Sequence, residues 1–325
     1  MRWSSLGEVP AGFGPSVVTI GNFDGVHRGH QAVLARVVAR ARERGLRAAA
    51  VTFDPHPSAI HRQGGVVPAI VSPRQRLDLM ERAGLDAVLT VPYTARFAQT
   101  EPEDFARDYL AVALRAHLVV VGRDVRFGRA NAGDLTVLTA LGARLGFQVE
   151  ALDDLGEAGG EGRPRWSSTA VRHVLADGDV EEAARVLGRL HRVVGRVVRG
   201  NARGRALGFP TANLAPEVEG MVPGDGVYAG WLTRLDLPSD HADRVAPAAV
   251  SVGTNPTFAQ PATPLRRVEA HVPGGADLDL YGEMIAVDFV IRLRSTLAFA
   301  TVDALTTQMH DDVRAAMAAL RARRN

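Results

Sequence analysis

Two rhythms divide this sequence, and they limit the fold more than any single motif does. From residue 17 to about 187, strand-like runs alternate with helical patterns; from about Arg192, short β-rich runs follow one another between Gly, Pro and Asn. In the first stretch the β-like runs lie at 17–21, 48–53, 87–91, 118–122 and 147–151. Helical spacing falls near 29–44, 72–83, 102–115, 133–145, 168–176 and 179–188. Such alternation predicts βαβ units and a parallel sheet in an α/β domain, with ligands at the carboxyl ends of the strands. The second stretch has β-rich runs at 193–198, 227–234, 247–252, 265–272 and 284–293, then helical spacing over 302–323 through Leu305, Met309, Val313, Met317 and Leu320. It predicts a small antiparallel β-barrel or sandwich followed by a helix. A chain of 325 residues suits two cores, and the change of texture sets the expected domains at 1–187 and 188–325.

Composition matters mainly for what it excludes. There is no cysteine, which removes disulfides, thiolate zinc sites and a cysteine nucleophile together. All 38 basic residues are arginine. Without lysine there is no Walker A loop, no protein-kinase lysine and no Schiff-base chemistry, so a side-chain cation on phosphate must be arginine or protonated histidine. The formal charge of +2 and the lack of a basic–aromatic pattern in the β-rich half argue against a nucleic-acid partner. Apolar runs are too short to span a bilayer, and Pro10, Gly12, Gly14 and Pro15 interrupt the region near residue 1. The expected location is cytoplasmic, with no membrane partner. Nothing in the sequence excludes a homo-oligomer.

Residues 18–30 are the densest motif of the first half. A β-rich run breaks at Gly21, passes Asp24-Gly25 and reaches His27 and His30 around Gly29, where a helical pattern begins. Two imidazoles at a helix mouth beside a glycine make a good anion site and could stabilise charge on a phosphorus atom in transfer. The same pair could ligate a metal with a third group such as Asp24, or be purely structural. A second cluster, Arg165-Trp166-Ser167-Ser168-Thr169-Ala170-Val171-Arg172, opens a helix. Its hydroxyls could cap that helix, or with the flanking arginines bind phosphate.

In the second half, Gly200 to Asn213 combines a glycine-rich loop with Arg203 and Arg205. It reads either as a surface turn or as a phosphate cradle. Thr211 and Asn213, two apart on an extended segment, would point the same way and offer oxygens to Mg²⁺. Glu269 lies in an alternating run, with Arg267 and His271 on its face. On pattern alone it is a solvated carboxylate paired with Arg267.

Taken in order, the Gly21–His30 run, Thr52-Phe53-Asp54-Pro55-His56-Pro57, Val121-Gly122-Arg123-Asp124-Val125-Arg126-Phe127-Gly128 and Ser167-Ser168-Thr169 with Arg172 resemble the bacterial bifunctional riboflavin kinase/FMN adenylyltransferases. So do Gly208-Phe209-Pro210-Thr211-Ala212-Asn213, Val268-Glu269-Ala270-His271 and Asp279-Leu280-Tyr281-Gly282. The resemblance implies a Rossmann-like nucleotidyltransferase domain that joins AMP from ATP to FMN, giving FAD and pyrophosphate. It implies a β-barrel flavokinase domain that phosphorylates riboflavin to FMN. In the first, His27 and His30 would be catalytic, with Gly21, Phe23, Asp24, Gly29, Asp124, Arg165, Ser168, Thr169 and Arg172 around ATP and its phosphates. In the second, Glu269 would be the base, with Gly200, Arg203, Gly204, Gly208, Pro210, Thr211 and Asn213 around ATP and Thr211 and Asn213 on Mg²⁺. Asn255 stands where these enzymes usually have Arg, and Ser295-Thr296 lacks the glutamate common after the arginine at 294. His56, between two prolines, could shape the flavin side or serve a plain turn, and it stays outside the catalytic set. The rival readings are an adenylyltransferase for another phosphorylated metabolite, and a non-catalytic flavin- or RNA-binding protein.

Overall fold

The computed structural model describes residues 1–61, 67–153, 166–200, 207–254, 266–275 and 279–323. Its contacts divide the chain into Met1–Ser168 and Thr169–Asn325. The first unit contains β1 (Arg2–Trp3), β2 (Ser16–Ile20), α1 (Arg28–Arg44), β3 (Arg47–Asp54), α2 (Ser58–His61), α3 (Pro73–Arg82), β4 (Ala87–Pro92), α4 (Pro102–Phe105), a π-helical run (Ala106–Ala113), β5 (Ala116–Gly122), α5 (Leu135–Leu145) and β6 (Gln148–Leu152). Among the described residues the six strands form one sheet in the order β1-β4-β3-β2-β5-β6, and every pairing is parallel.

The apolar strands suit a sheet buried on both faces. Alternate residues of one strand go to opposite cores. Val17, Ala48, Ala50, Leu118 and Val120 pack with Leu34, Val37, Ala41 and Met80 of α1 and α3. Val18, Ile20, Ala49, Val51, Val119 and Val121 pack with Phe105, Leu110, Leu114, Leu138 and Leu141. This is the expected Rossmann-like α/β layering. The strand order reverses between β2 and β5, so their carboxyl ends, Ile20 and Gly122, open at the switch point where such sheets bind ligands.

The second unit starts within α6 (Ser168–Asp177) and continues through α7 (Val180–Leu187), β7 (His191–Val198), β8 (Thr211–Leu214), β9 (Gly226–Arg234), β10 (Val245–Thr254), β11 (Arg266–His271), β12 (Met284–Arg294) and α8 (Val302–Ala322). The strands close into an antiparallel barrel, β10-β11-β8-β7-β12-β9, which removes every sheet edge. Tyr228 and Phe289 are fully buried and meet edge to face at 5.3 Å. Ala316 and Leu320 of α8 pack on Ala229, Ala249 and Val290 of the barrel. Arg294 forms a bidentate pair with Asp312 at 2.8 and 2.6 Å, tying the end of β12 to the same helix.

Candidate active sites

The first site begins where β2 stops. Phe23 has a left-handed backbone, Asp24–Val26 make a single 3₁₀ turn, and His27 stands at the N-cap of α1. Its Nδ1 accepts the His30 N–H at 3.4 Å, which places the ring proton on Nε2. The two imidazoles stack with centroids 3.7 Å apart, and Phe23 meets His30 edge-on at 5.2 Å. Burial, with His27 as neighbour, pushes the His30 pKa well down, so the ring is neutral near pH 7. A neutral imidazole presents an anion with an N–H rather than a charge. His30 Nδ1 is buried with no hydrogen-bond partner among the described residues, an orphan of the kind a ligand oxygen satisfies. The position of Gly29 has a local cause as well: a Cβ there would lie 3.1 Å from the His27 ring and 3.4 Å from the Trp166 carbonyl. At Gly21 a Cβ would lie 3.2 Å from the Phe23 ring.

The other residues expected here fall as follows. The Asp24 carboxylate is buried and accepts the backbone N–H groups of Ile70 at 3.0 Å and Val71 at 3.4 Å, so it organises the loop. The Ser168 hydroxyl donates to the Asp24 carbonyl at 2.8 Å. Thr169 and Arg172 follow on α6, whose first residue is Ser168. Asp124 lies just past the end of β5, folded so that a Cβ on Gly122 would be 2.9 Å from its Oδ1. Arg165 lies outside the described residues. His56 closes a turn instead: its Nδ1 is 2.8 Å from the Ser58 hydroxyl, at the start of α2.

Sequence reasoning missed Arg76. It is 5% exposed on α3, and its guanidinium donates to the Asn22 carbonyl at 3.2 Å and the Phe53 carbonyl at 3.0 Å. A signal was present: Arg76 stands one turn before the fully buried Met80, on the stripe that faces the core.

The second site lies across two paired strands. Strand β8 runs antiparallel to β11, with Glu269 opposite Asn213 and His271 opposite Thr211. Residues two apart share a face, so Glu269, Asn213, Thr211 and His271 form one cross-strand block. Burial raises the Glu269 pKa, with Arg267 opposing the shift. Asn213 Nδ2 donates to the Thr211 carbonyl at 3.2 Å and to its hydroxyl at 3.1 Å. Gly200 lets the Asn213 amide lie directly on the chain: a Cβ would sit 2.6 Å from its Cγ, Nδ2 and Oδ1. Gly208 has φ +86°, a conformation that favours glycine, at the turn into Phe209 and Pro210. The Pro210 carbonyl accepts from His271 Nδ1 at 2.8 Å. Pro210 and Thr211 also line a pocket with Val272, Leu280 and Tyr281. Arg203, Gly204, Arg205 and Asn255 lie outside the described residues. Ser295 is described, and its carbonyl accepts from Arg294 at 2.9 Å.

Comparison with known proteins matches two family models to separate parts of the chain. The FAD synthetase family model matches residues 11–169 and the riboflavin kinase family model matches residues 187–320. The bifunctional riboflavin kinase/FMN adenylyltransferase of Escherichia coli (strain K12) is 36% identical over 296 residues, 91% of this chain and 90% of that one. The protein of the same name from Pseudomonas fluorescens is 36% identical over 302 residues, 93% of this chain and 92% of its own. A crystal structure from Streptococcus pneumoniae described as a macrolide-efflux protein superposes with a TM-score of 0.84 at 28% identity, covering 98% of each chain. Among the described residues no helix is long and apolar enough to cross a membrane. The matched ranges cover most of both units, and the chain belongs to the bifunctional riboflavin kinase/FMN adenylyltransferase family.

Proposed function

We propose that this chain makes FMN at the barrel and FAD at the parallel sheet, using one ATP at each. We draw the adenylyltransferase module as 1–187 and the kinase module as 188–325. In the kinase reaction the ribityl 5′-hydroxyl of riboflavin attacks the γ-phosphorus of ATP, the bond to the β–γ bridging oxygen breaks, and ADP leaves. A hydroxyl is a poor nucleophile, so the step benefits from a base. Glu269 takes the proton. Burial raises its pKa, which makes it a stronger base than an exposed carboxylate.

Thr211 and Asn213 offer hydroxyl and amide oxygens beside that carboxylate, a hard donor set that suits Mg²⁺. Among the described residues no three His, Asp or Glu side chains group to hold a metal. Mg²⁺ in phosphoryl-transfer sites is commonly held by a few protein oxygens and the substrate's phosphates. When bound, Mg²⁺ supplies positive charge against the transferring phosphates. Gly200, Arg203, Gly204, Gly208 and Pro210 complete the ATP loop in this reading.

The second reaction needs no base, because FMN brings an ionised phosphate. One of its oxygens attacks the α-phosphorus of ATP, the α–β bond breaks, and pyrophosphate leaves. His27 and His30 stabilise the pentacoordinate phosphorus by hydrogen bonding, while Ser168, Thr169, Arg172, Arg165 and Asp124 bind the nucleotide and phosphates. The α1 N-terminus adds its positive end to that site. We read the chain as acting in the cytoplasm on flavins and ATP, without nucleic acid.

The observation that carries this reading is the β8–β11 register, which sets Glu269 against Asn213 in the second unit, together with the stacked histidine pair at the strand switch point of the first. The test is a time course with riboflavin, ATP and Mg²⁺, resolving FMN from FAD. FMN should appear first and FAD should follow at its expense. A folded, Mg²⁺-replete sample that makes neither flavin product contradicts the reading.

A further inference from the structure

The loop that leads into His27 and His30 is held in a costly conformation. Phe23, Gly25 and Val26 have φ of 50°, 78° and 41°, and Val26 is β-branched. Such backbone persists only where its surroundings over-determine it. Groups outside the loop do this from separate directions. Asp24 accepts the N–H groups of Ile70 and Val71, just before α3. From α3 itself, Arg76 donates one arm of its fork to the Asn22 carbonyl and the other to the Phe53 carbonyl. Thr52 donates its hydroxyl to that same Asn22 carbonyl at 3.2 Å.

A buried guanidinium is an expensive way to fill space, because desolvating a charge costs more than a weak partner returns. The acid nearest to it, Asp54, is 3.7 Å away with a side chain 43% exposed, and Arg76 Nε has no partner among the described residues. Met80, one turn along, shows that an apolar residue serves this helix face. The fork has a different use. It bridges the carboxyl ends of β2 and β3, adjacent strands, and one end of the bridge is the carbonyl five residues before His27.

We propose that Arg76 is a positioning residue for adenylyl transfer: its buried fork pins Asn22 against Phe53 and thereby sets where the His27–His30 pair stands over the strand ends. The inference rests on the reading of that histidine pair as the adenylyltransferase site. Displacing such a pair by about 1 Å can cost on the order of 100-fold in rate with substrate binding little changed.

The experiment measures kcat and KM for FAD formation from supplied FMN, ATP and Mg²⁺ in wild type, Arg76→Met, Arg76→Lys and His27→Ala, with thermal melts of each. Methionine keeps the stem and loses the fork; its kcat should fall about 30- to 100-fold, with both KM values within about threefold of wild type. Lysine keeps the charge and part of the bonding, and should recover at least about fivefold of that loss. Riboflavin phosphorylation should not change in either variant. Wild-type kcat in Arg76→Met, an effect on KM alone, or a lysine variant no better than methionine would overturn the proposal. If the methionine variant does not fold, the lysine variant decides by the same split, and failure of both to fold makes Arg76 a stability residue and overturns it too. FAD formation by His27→Ala refutes the site reading itself, whereas inactive His27→Ala beside fully active Arg76→Met refutes only the role of Arg76.

Discussion

Glu269 shows what a single residue does and does not reveal. Alternation puts it on a face with Arg267 and His271, and an exposed ion pair follows from that pattern alone. The structure sets it opposite Asn213, half-buried, with its pKa raised. The partner comes from strand register, which no local pattern encodes. The sign of the shift gives a prediction. A base must be ionised, so kinase kcat/KM should fall as pH drops through a value above the ordinary glutamate range, while FAD formation from FMN should lack that limb. Glu269→Gln should lower FMN formation by about 10²- to 10⁴-fold and leave FAD formation from FMN unchanged. A carboxyl whose pKa rises on folding favours the fold when protonated, and that contribution fades as pH rises through the folded value. Glu269→Gln should therefore melt no lower than wild type at pH 7, by calorimetry. Arg76 and the partners of Asp24 stayed hidden for a related reason: these contacts run to backbone groups from distant segments, at 53 and at 70–71.

Secondary-structure elements were far more legible than their partners. The runs expected at 48–53 and 118–122 are β3 and β5, and the helix expected over 302–323 is α8, each within about two residues at either end. The departures have physical causes. Two residues carry no periodicity, so β1 is invisible without β4 beside it. Helical spacing over 102–115 does not distinguish α4 from the π-helical run that continues it. Strand β8 is four residues with motif-bound side chains, legible only as extended. Two predictions belong to these elements. Gly200→Ala puts a methyl where the Asn213 amide sits, so FMN formation should drop at least about tenfold by displacement of that side chain. Equal rates for the two proteins would contradict the packing. Strand β7 opens with His191, whose Nε2 donates to the Met221 carbonyl at 2.7 Å and whose buried Nδ1 has no partner among the described residues. Burial is the main cause that pushes its pKa down to about 4, with Arg189 adding to it. The unfolded chain then binds the extra proton first, so stability is full above pH 6.5 and declines as pH falls toward 4, by up to about 3 kcal/mol. Denaturant unfolding of wild type against His191→Gln across that window should show the steeper decline in wild type; parallel curves would contradict it.

At the scale of the whole molecule, the two rhythms of the sequence correspond to two different solutions for burying apolar surface. One is a parallel sheet covered on both faces, the other an antiparallel barrel that has no edges. In the proposed reading each carries its chemistry at strand ends or on paired strands. The helices α6 and α7 show where sequence texture stops being informative: their spacing continues the α/β rhythm, while their contacts group with the barrel from Thr169 onward. The two proposed sites should act independently, each completing its own reaction. This independence is tested most directly by assaying His27→Ala and Glu269→Ala singly and mixed, with riboflavin, ATP and Mg²⁺, and separating FMN from FAD. His27→Ala alone should stop at FMN, Glu269→Ala alone should make neither product from riboflavin yet convert supplied FMN, and the mixture should make FAD. A mixture of folded variants that yields no FAD, or a single substitution that removes both activities, would contradict it.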